Sequence, residues 1–417
     1  GQGLTARKVV LHPAEPLAFV LFASANSAPA PKAARDPCQS PTGEANQHLW
    51  RLAVYDLVTF AIRTVFDPIA ERLITPDANE AAVSLGLFTP PEARGAPIIV
   101  VGAVPNLRVV GNGFDPDNLP LIRCFALEHG TQLRHQHATT VDAIPYSFAP
   151  LYQFGLLAAG VGTSVRCYSM GSRQLLRKCQ LKGIVANGAA ALEAEGGIIA
   201  VGDFHESVVL LKFFPPPRAG AGMATTAGAV LVAVADDFVQ RHVVAMRFLD
   251  LHTVAASDRF GNVVVLRVPG AATVTANALG AELQGPVPMA EEPEAVTKPA
   301  AKLVAVTQMH VGAIVTGIAV VRQQEGAVLA YQAVDGQAGA FVPVAPRELD
   351  HLRDIEAAVR VEAVPLVGRE HERYRSTYGP CRGVADCDFA LFHVDRFGAE
   401  ARAAVEEGVR AKAIERA

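Results

Sequence analysis

"RCYSMGSRQLLRKC", residues 166–179, is the third occurrence of one short pattern. "RLAVYDLVTFAIRT" (51–64) and "RCFALEHGTQLRHQ" (123–136) come before it. In each, an aromatic residue (Tyr55, Phe125, Tyr168) is followed two positions on by Leu57, Leu127 or Met170, then by a polar turn. An aliphatic residue and an Arg close the pattern, with Ile62, Leu133 and Leu176 as the aliphatic members. The apolar runs on either side of the turn are of strand length, so each copy reads as strand, turn, strand. Phe125 and Tyr168 are 43 positions apart, which matches the roughly 40–45 residues of a four-stranded propeller blade. Tyr55 and Phe125 are 70 apart, a blade carrying a long loop.

The surrounding chain agrees. "RKVVLH", "LAFVLF", "PIIVVGAV", "GGIIAVG", "SVVLLKFF", "AVLVAVA" and "NVVVLRV" are short β-branched runs with turn residues between them and no helical periodicity. Such spacing admits a barrel, a sandwich or a propeller, and the repeat selects the propeller. The expected fold is mainly β, a seven-bladed β-propeller of WD40-like blades over residues 1–343. "AASDRFGNVVVLRV" (255–268) fits a hairpin tip, because Gly261 and Asn262 tolerate the positive φ of a tight turn. Three stretches, 23–47, 214–228 and 270–301, are too rich in Ala, Pro, Gly and Ser to build core and read as flexible excursions between strands. After residue 345 the period changes. Leu349, Leu352, Ile355 and Val359 recur at helical spacing, and residues 398–416 form a second helical pattern, so a small α-helical C-terminal domain is expected over 344–417.

Bulk composition narrows the function. Hydrophobic residues are 50% and charged residues 19% of the 417 positions, which describes an ordered globular chain. A formal charge of −4 argues against a broad phosphate-binding face. The six cysteines show no Cys-x-x-Cys pair, and Cys381 with Cys387 lacks a partner pair at zinc-ligand spacing, so free thiols are expected. No apolar run reaches the roughly 18 residues of a membrane span. The chain begins at Gly1 without an initiator Met, which reads as a piece of a longer polypeptide.

Catalytic patterns are weak. "GDFHESV" (202–208) groups Asp203, His205 and Glu206, and "VADDFVQRH" (234–242) places Asp236 and Asp237 near His242. Both lie where hairpin tips are expected, and turn acids commonly bind backbone amides, so Asp203, His205, Glu206, Asp236 and Asp258 are expected to be structural. "GVGTSV" (160–165) lacks a third glycine and a following helix, and reads as a two-strand turn rather than a phosphate cradle. No catalytic, cofactor-binding or metal-binding residue is assigned.

Several stretches together resemble one family. "ARKVVLHP" (6–13), "ANEAAVSLGL" (78–87), "GVGTSVRCYSMGSRQLLRKC" (160–179), "GDFHESVVLLKF" (202–213), "LHTVAASDRFGNVVVLRVP" (251–269) and "VPLVGREHERYRSTYGPCRGVADCDF" (364–389) are similar to the C-terminal third of the splicing factor 3b subunit 3 family. That family shares its triple-propeller architecture with the large subunits of the UV-damage DNA-binding protein and of the cleavage and polyadenylation specificity factor. The resemblance implies the third propeller and helical tail of a nuclear, non-enzymatic scaffold with no cofactor. Its implied partners are the helical-repeat large subunit and the small subunits of the splicing factor 3b complex of the U2 snRNP. The first two propellers would come from another segment or polypeptide, RNA would be contacted only indirectly, and no membrane is implied. Two alternatives remain open: a paralogous adaptor of a ubiquitin ligase or of the cleavage and polyadenylation machinery, and a propeller enzyme with acids in its channel.

The most family-specific stretch, residues 365–378, lies in a segment that alternates Arg369, Arg373, Arg375 and Arg382 with Tyr374 and Tyr378, ahead of Asp386 and Asp388. Planar donors beside carboxylates predict a segment ordered by bidentate arginine–carboxylate or by arginine–backbone-carbonyl contacts, pinning the helical module against the propeller and its partner, the alternative being a solvated linker. Arg369, His371, Tyr374, Arg375, Tyr378, Asp386 and Asp388 are the expected partner-binding residues.

Overall fold

A computed structural model describes the chain except residues 1–4, 27–46, 76–79, 92–95, 106–117, 131, 186–187, 217–227, 271–298, 300, 324–325, 364, 366–367 and 417. The three predicted excursions fall largely outside the described residues. The described strands form six sheets that follow one another along the chain, antiparallel except for one short parallel pair. Blade 1 holds β1 (Thr5–Leu11), β2 (Leu17–Asn26), β3 (Gln47–Asp56) and β4 (Ile62–Phe66). Blade 2 holds β5 (Glu80–Phe88), β6 (Ile98–Pro105), β7 (Leu121–Glu128) and β8 (Gln132–Thr140). Blade 3 holds β9 (Pro145–Leu151), β10 (Leu156–Val161), β11 (Ser164–Ser169) and β12 (Leu176–Leu181). Blade 4 has β13 (Ala189–Glu195), β14 (Ile198–Asp203), β15 (Val208–Phe214) and β16 (Val230–Asp236). Blade 5 begins with β17 (Val243–Asp250), β18 (Thr253–Asp258) and β19 (Asn262–Arg267). The chain then adds β20 (Ala301–Lys302) in parallel to the edge of blade 4 before returning as β21 (Val304–His310), the fourth strand of blade 5. Blade 6 is three-stranded: β22 (Val315–Gln323), β23 (Gly326–Ala333) and β24 (Ala338–Phe341).

These sheets are propeller blades, and the three copies of the sequence pattern fall on the same place in successive ones: β3–β4, β7–β8 and β11–β12. Six blades are found among the described residues, where the spacing predicts seven.

The chain separates into two compact units. The described residues of Gly1–Phe204 and Leu210–Ala233 form the first, and those of His205–Val209, Val234–Ala278 and Pro299–Ala417 form the second. Within the first unit, blade 2 is buried on both faces. Ile99, Val101 and Phe125 pack against Phe19, Trp50, Leu52 and Phe66 of blade 1. Ile98, Val100, Ile122 and Cys124 pack against Phe148, Leu157 and Tyr168 of blade 3. That two-sided burial is why β6 reads as a continuous apolar run rather than an alternating one. The first strands β5, β9 and β13 pack successively side by side, and a serine stitches each junction: the Ser84 hydroxyl donates to the Pro145 carbonyl at 2.5 Å and the Ser147 hydroxyl to the Ala189 carbonyl at 2.6 Å. A buried ion pair anchors blade 2, with Arg123 on Glu80 at 2.6 Å and Trp50 Nε1 donating to the same carboxylate at 3.0 Å.

The second unit holds blades 5 and 6 and the helices. Val263 and Val265 meet Val315, Ile318 and Leu329, and the Ser257 hydroxyl donates to the Val315 carbonyl at 2.8 Å, the same stitch again. The two predicted helices are present as α1 (Pro346–Glu362) and, after two shorter ones, α4 (Ala399–Arg416). Pro346 opens α1 at a position needing no N–H, and the Glu348 carboxylate accepts from the Ala345 amide at 3.0 Å. Sequence periodicity misses α2 (His371–Tyr374) and α3 (Cys387–Val394), which are too short to show it. Ala358, Val359 and Val405 form the core of this module, with Ile355, Phe389 and Val409 against it.

The acids assigned to turns behave unequally. Asp258 accepts from the amides of Phe260 (2.8 Å) and Asn262 (2.9 Å), closing the predicted hairpin at Gly261, whose φ is +88°. Asp236 has a side-chain partner rather than a turn amide: it pairs with Lys302 at 2.7 Å, while the neighbouring Asp237 accepts from the Val239 amide. Asp203, His205 and Glu206 sit at the end of β14 and in the turn after it. Among the described residues no group of His, Cys, Asp and Glu has metal-binding geometry, and no described helix is long and apolar enough to cross a membrane.

Candidate partner-binding surface

The segment between α1 and α3 is held by one carboxylate. Asp386, 7% exposed, accepts Arg375 Nε at 2.5 Å on Oδ2 and the Phe389 amide at 3.1 Å on Oδ1 as the N-cap of α3, and His371 Nε2 stands 3.1 Å from the same Oδ2. Its own amide donates to Glu356 of α1 at 3.2 Å. Burial opposes the charge, but His371, the Phe389 amide and Arg375 outweigh it and hold the Asp386 carboxyl down to about 2.

The same segment is fastened to blade 5. Arg375 Nη1 donates to the Val311 carbonyl at 3.3 Å, and the Arg375 carbonyl accepts from the His310 amide at 3.0 Å. Gln308 and Arg382 exchange both backbone hydrogen bonds at 2.8 Å. The Tyr378 hydroxyl donates to Asp258 and the Thr377 hydroxyl to Asn262, so the hairpin tip is also the receptor for this segment. Burial and the Asp258 carboxylate push the Tyr378 phenol up. Gly379 lies against the Gln308 side chain, whose terminal amide a Cβ there would displace. Arg375 makes both kinds of contact named for this segment, dividing its donors between the Asp386 carboxylate and the Val311 backbone carbonyl, without being bidentate on the acid.

The seven expected residues therefore separate. Arg375, Tyr378 and Asp386 are committed to internal contacts. Arg369, His371 and Tyr374 line a cavity of about 470 Å³ bounded by the C-terminal end of α1, α2 and α3. Asp388 is exposed in the first turn of α3 and joins neither group. The cavity wall comes from Ala357 and Val361 of α1 and Phe389 and Phe392 of α3. His371 lies flat on Phe389, with ring centroids 3.7 Å apart at 14°. Arg369 covers the Tyr374 ring at 5.0 Å and donates to the Arg373 carbonyl at 3.2 Å. Burial lowers the His393 pKa, with His371 and Arg396 reinforcing it, so that ring is a neutral wall. Sequence reasoning missed Phe389, Phe392 and His393; their i, i+3 and i+4 spacing was the available signal, obscured by the short length of α3.

Propeller blades are joined to a helical module, and charged groups at the junction hold that module in place. The chain belongs to the CPSF A subunit region family, whose model matches residues 71–391. It is 32% identical to the pre-mRNA-splicing factor RSE1 of Mycosarcoma maydis over 75% of this chain and 24% of that protein. It is 30% identical to the probable splicing factor 3B subunit 3 of Dictyostelium discoideum over 78% of this chain and 25% of that one. With splicing factor 3B subunit 3 of Drosophila melanogaster the identity is 31% over 62% of this chain and 20% of the fly protein. The chain thus spans about a quarter of the length of these relatives.

Proposed function

We propose that this chain is part of a non-enzymatic scaffold subunit of the splicing factor 3b complex, working in the nucleus and supporting branch-site recognition by the U2 snRNP through protein contacts. The observation that carries the reading is the Asp386 hub, which spends the most family-specific segment on presenting a helical surface. The splicing-factor names of relatives from a fungus, an amoeba and an insect support it. In this reading residues 1–343 are propeller and 344–417 the helical domain. It keeps seven blades within residues 1–343. Partners are the complex's helical-repeat large subunit and its small subunits, and RNA is met through them.

The family description also favours a second reading, a subunit of the cleavage and polyadenylation machinery. Affinity purification of the tagged full-length protein with quantitative mass spectrometry separates the two. Recovery of splicing factor 3b subunits, reduced severalfold by Arg369→Ala with Arg375→Ala, is expected. Recovery of polyadenylation subunits instead would overturn the splicing reading, and unchanged recovery by the double variant would show the segment to be a spacer.

A further inference from the structure

The cavity beside α3 has unspent charge. Arg360 is neutralised by Glu372 at 3.2 Å. Arg369 meets only a backbone carbonyl and the Tyr374 ring in its described contacts. Arg396 lies over Phe392, 3.5 Å from the ring centroid, and donates to the Phe392 carbonyl at 2.8 Å. Glu370 is the one acid in the described lining. An apolar hollow is therefore flanked by two guanidinium groups without carboxylates, and its complement is an apolar anchor flanked by acids.

The apolar surface extends past the hollow. Val361 is 81% exposed, Leu391 63% and Phe392 52%, side chains that a small anion in the cavity would leave in water. A volume of about 470 Å³ accommodates one large side chain with part of its backbone. We propose that this cavity is a docking slot for an acidic peptide segment of a protein partner. One aromatic or large aliphatic side chain enters between α1 and α3, and flanking carboxylates engage Arg369 and Arg396. The proposal rests on the scaffold reading, since it names what the helical surface holds.

Fluorescence anisotropy on the 417-residue chain tests it with three labelled peptide probes: Glu/Asp-rich with a central Leu-Trp, the same with Lys for each acid, and the same with Ser-Ser for Leu-Trp. The acidic Trp peptide should bind at least about tenfold tighter than either control and weaken as salt rises. Arg369→Glu and Phe392→Ala should each reduce its affinity at least about fivefold, with hydrogen exchange over 384–397 unchanged in the Arg369 variant. Equal binding of acidic and basic probes, or binding indifferent to both substitutions, overturns the slot. A short uridine-rich RNA that competes at the same site also overturns it. If the peptide binds but no splicing factor 3b subunit co-purifies, the slot stands and the splicing reading fails. If those subunits co-purify undiminished with Arg369→Glu while the peptide does not bind, the slot fails alone.

Discussion

Replacing Asp386 with Asn isolates the charge at the centre of the hub. Asparagine keeps an oxygen to cap α3, so the Phe389 amide retains its acceptor, while Arg375 loses its own and His371 loses the neighbouring charge. The carboxyl is held at about 2 against an ordinary value of 3.8. A group depressed in this way contributes stability that is full above its unfolded value and is lost as pH falls through the folded one. A depression of that size makes the charge worth about 2 kcal/mol at pH 7, of which about half is gone at pH 3. Hydrogen exchange by mass spectrometry, corrected for intrinsic rates, reads this locally over residues 384–397. At pH 7 the variant should exchange roughly thirtyfold faster than the parent in the regime where exchange follows the opening equilibrium. At pH 3 the gap should shrink to about fivefold. An equal gap at both pH values would mean that the cap and packing hold α3 and that the ion pairs are incidental.

Tyr378→Phe removes the donor to Asp258 and should destabilise the hairpin attachment by about 1 kcal/mol in urea unfolding. Because the Tyr378 phenol is raised, its contribution is full below about pH 10 and lost as pH climbs beyond it, so the difference between parent and variant should narrow in alkali. Glu80→Gln leaves Arg123 buried without its counter-charge and should cost about 3 kcal/mol, and Glu80→Leu with Arg123→Met should recover at least part of that loss in the same denaturation assay. Cys167 and Cys179 oppose each other across β11 and β12; the Cys179 contact and burial push Cys167 up while the Cys167 contact draws Cys179 down. Maleimide should therefore label Cys179 before Cys167, as peptide mass mapping will report.

The blades were legible because two-sided burial leaves a strong mark: β6 has no polar side chain, and the Tyr55, Phe125 and Tyr168 copies sit at one blade position. The blade count was not, since a run of turn residues in a sequence does not say whether it joins blades or interrupts one. The hub was half legible. Arginines beside Asp386 announced ion pairing, but only the fold brings Asp258 and Asn262, more than a hundred positions away, onto Tyr378 and Thr377. The serine stitches left no signal, because a hydroxyl among aliphatic residues looks the same whether it meets a carbonyl or water.

The detour through β20 sets an order of events on the ribosome. Asp236 waits for Lys302, 66 positions downstream, to close the rim of blade 4. At about 5–20 residues per second that is several seconds of synthesis. Throughout it the edge of β16 is open, and three strands of blade 5 emerge before either sheet has its last member. A nascent chain at this stage exposes two unfinished borders at once, the interval in which a chaperone holding strand edges would matter most to this protein.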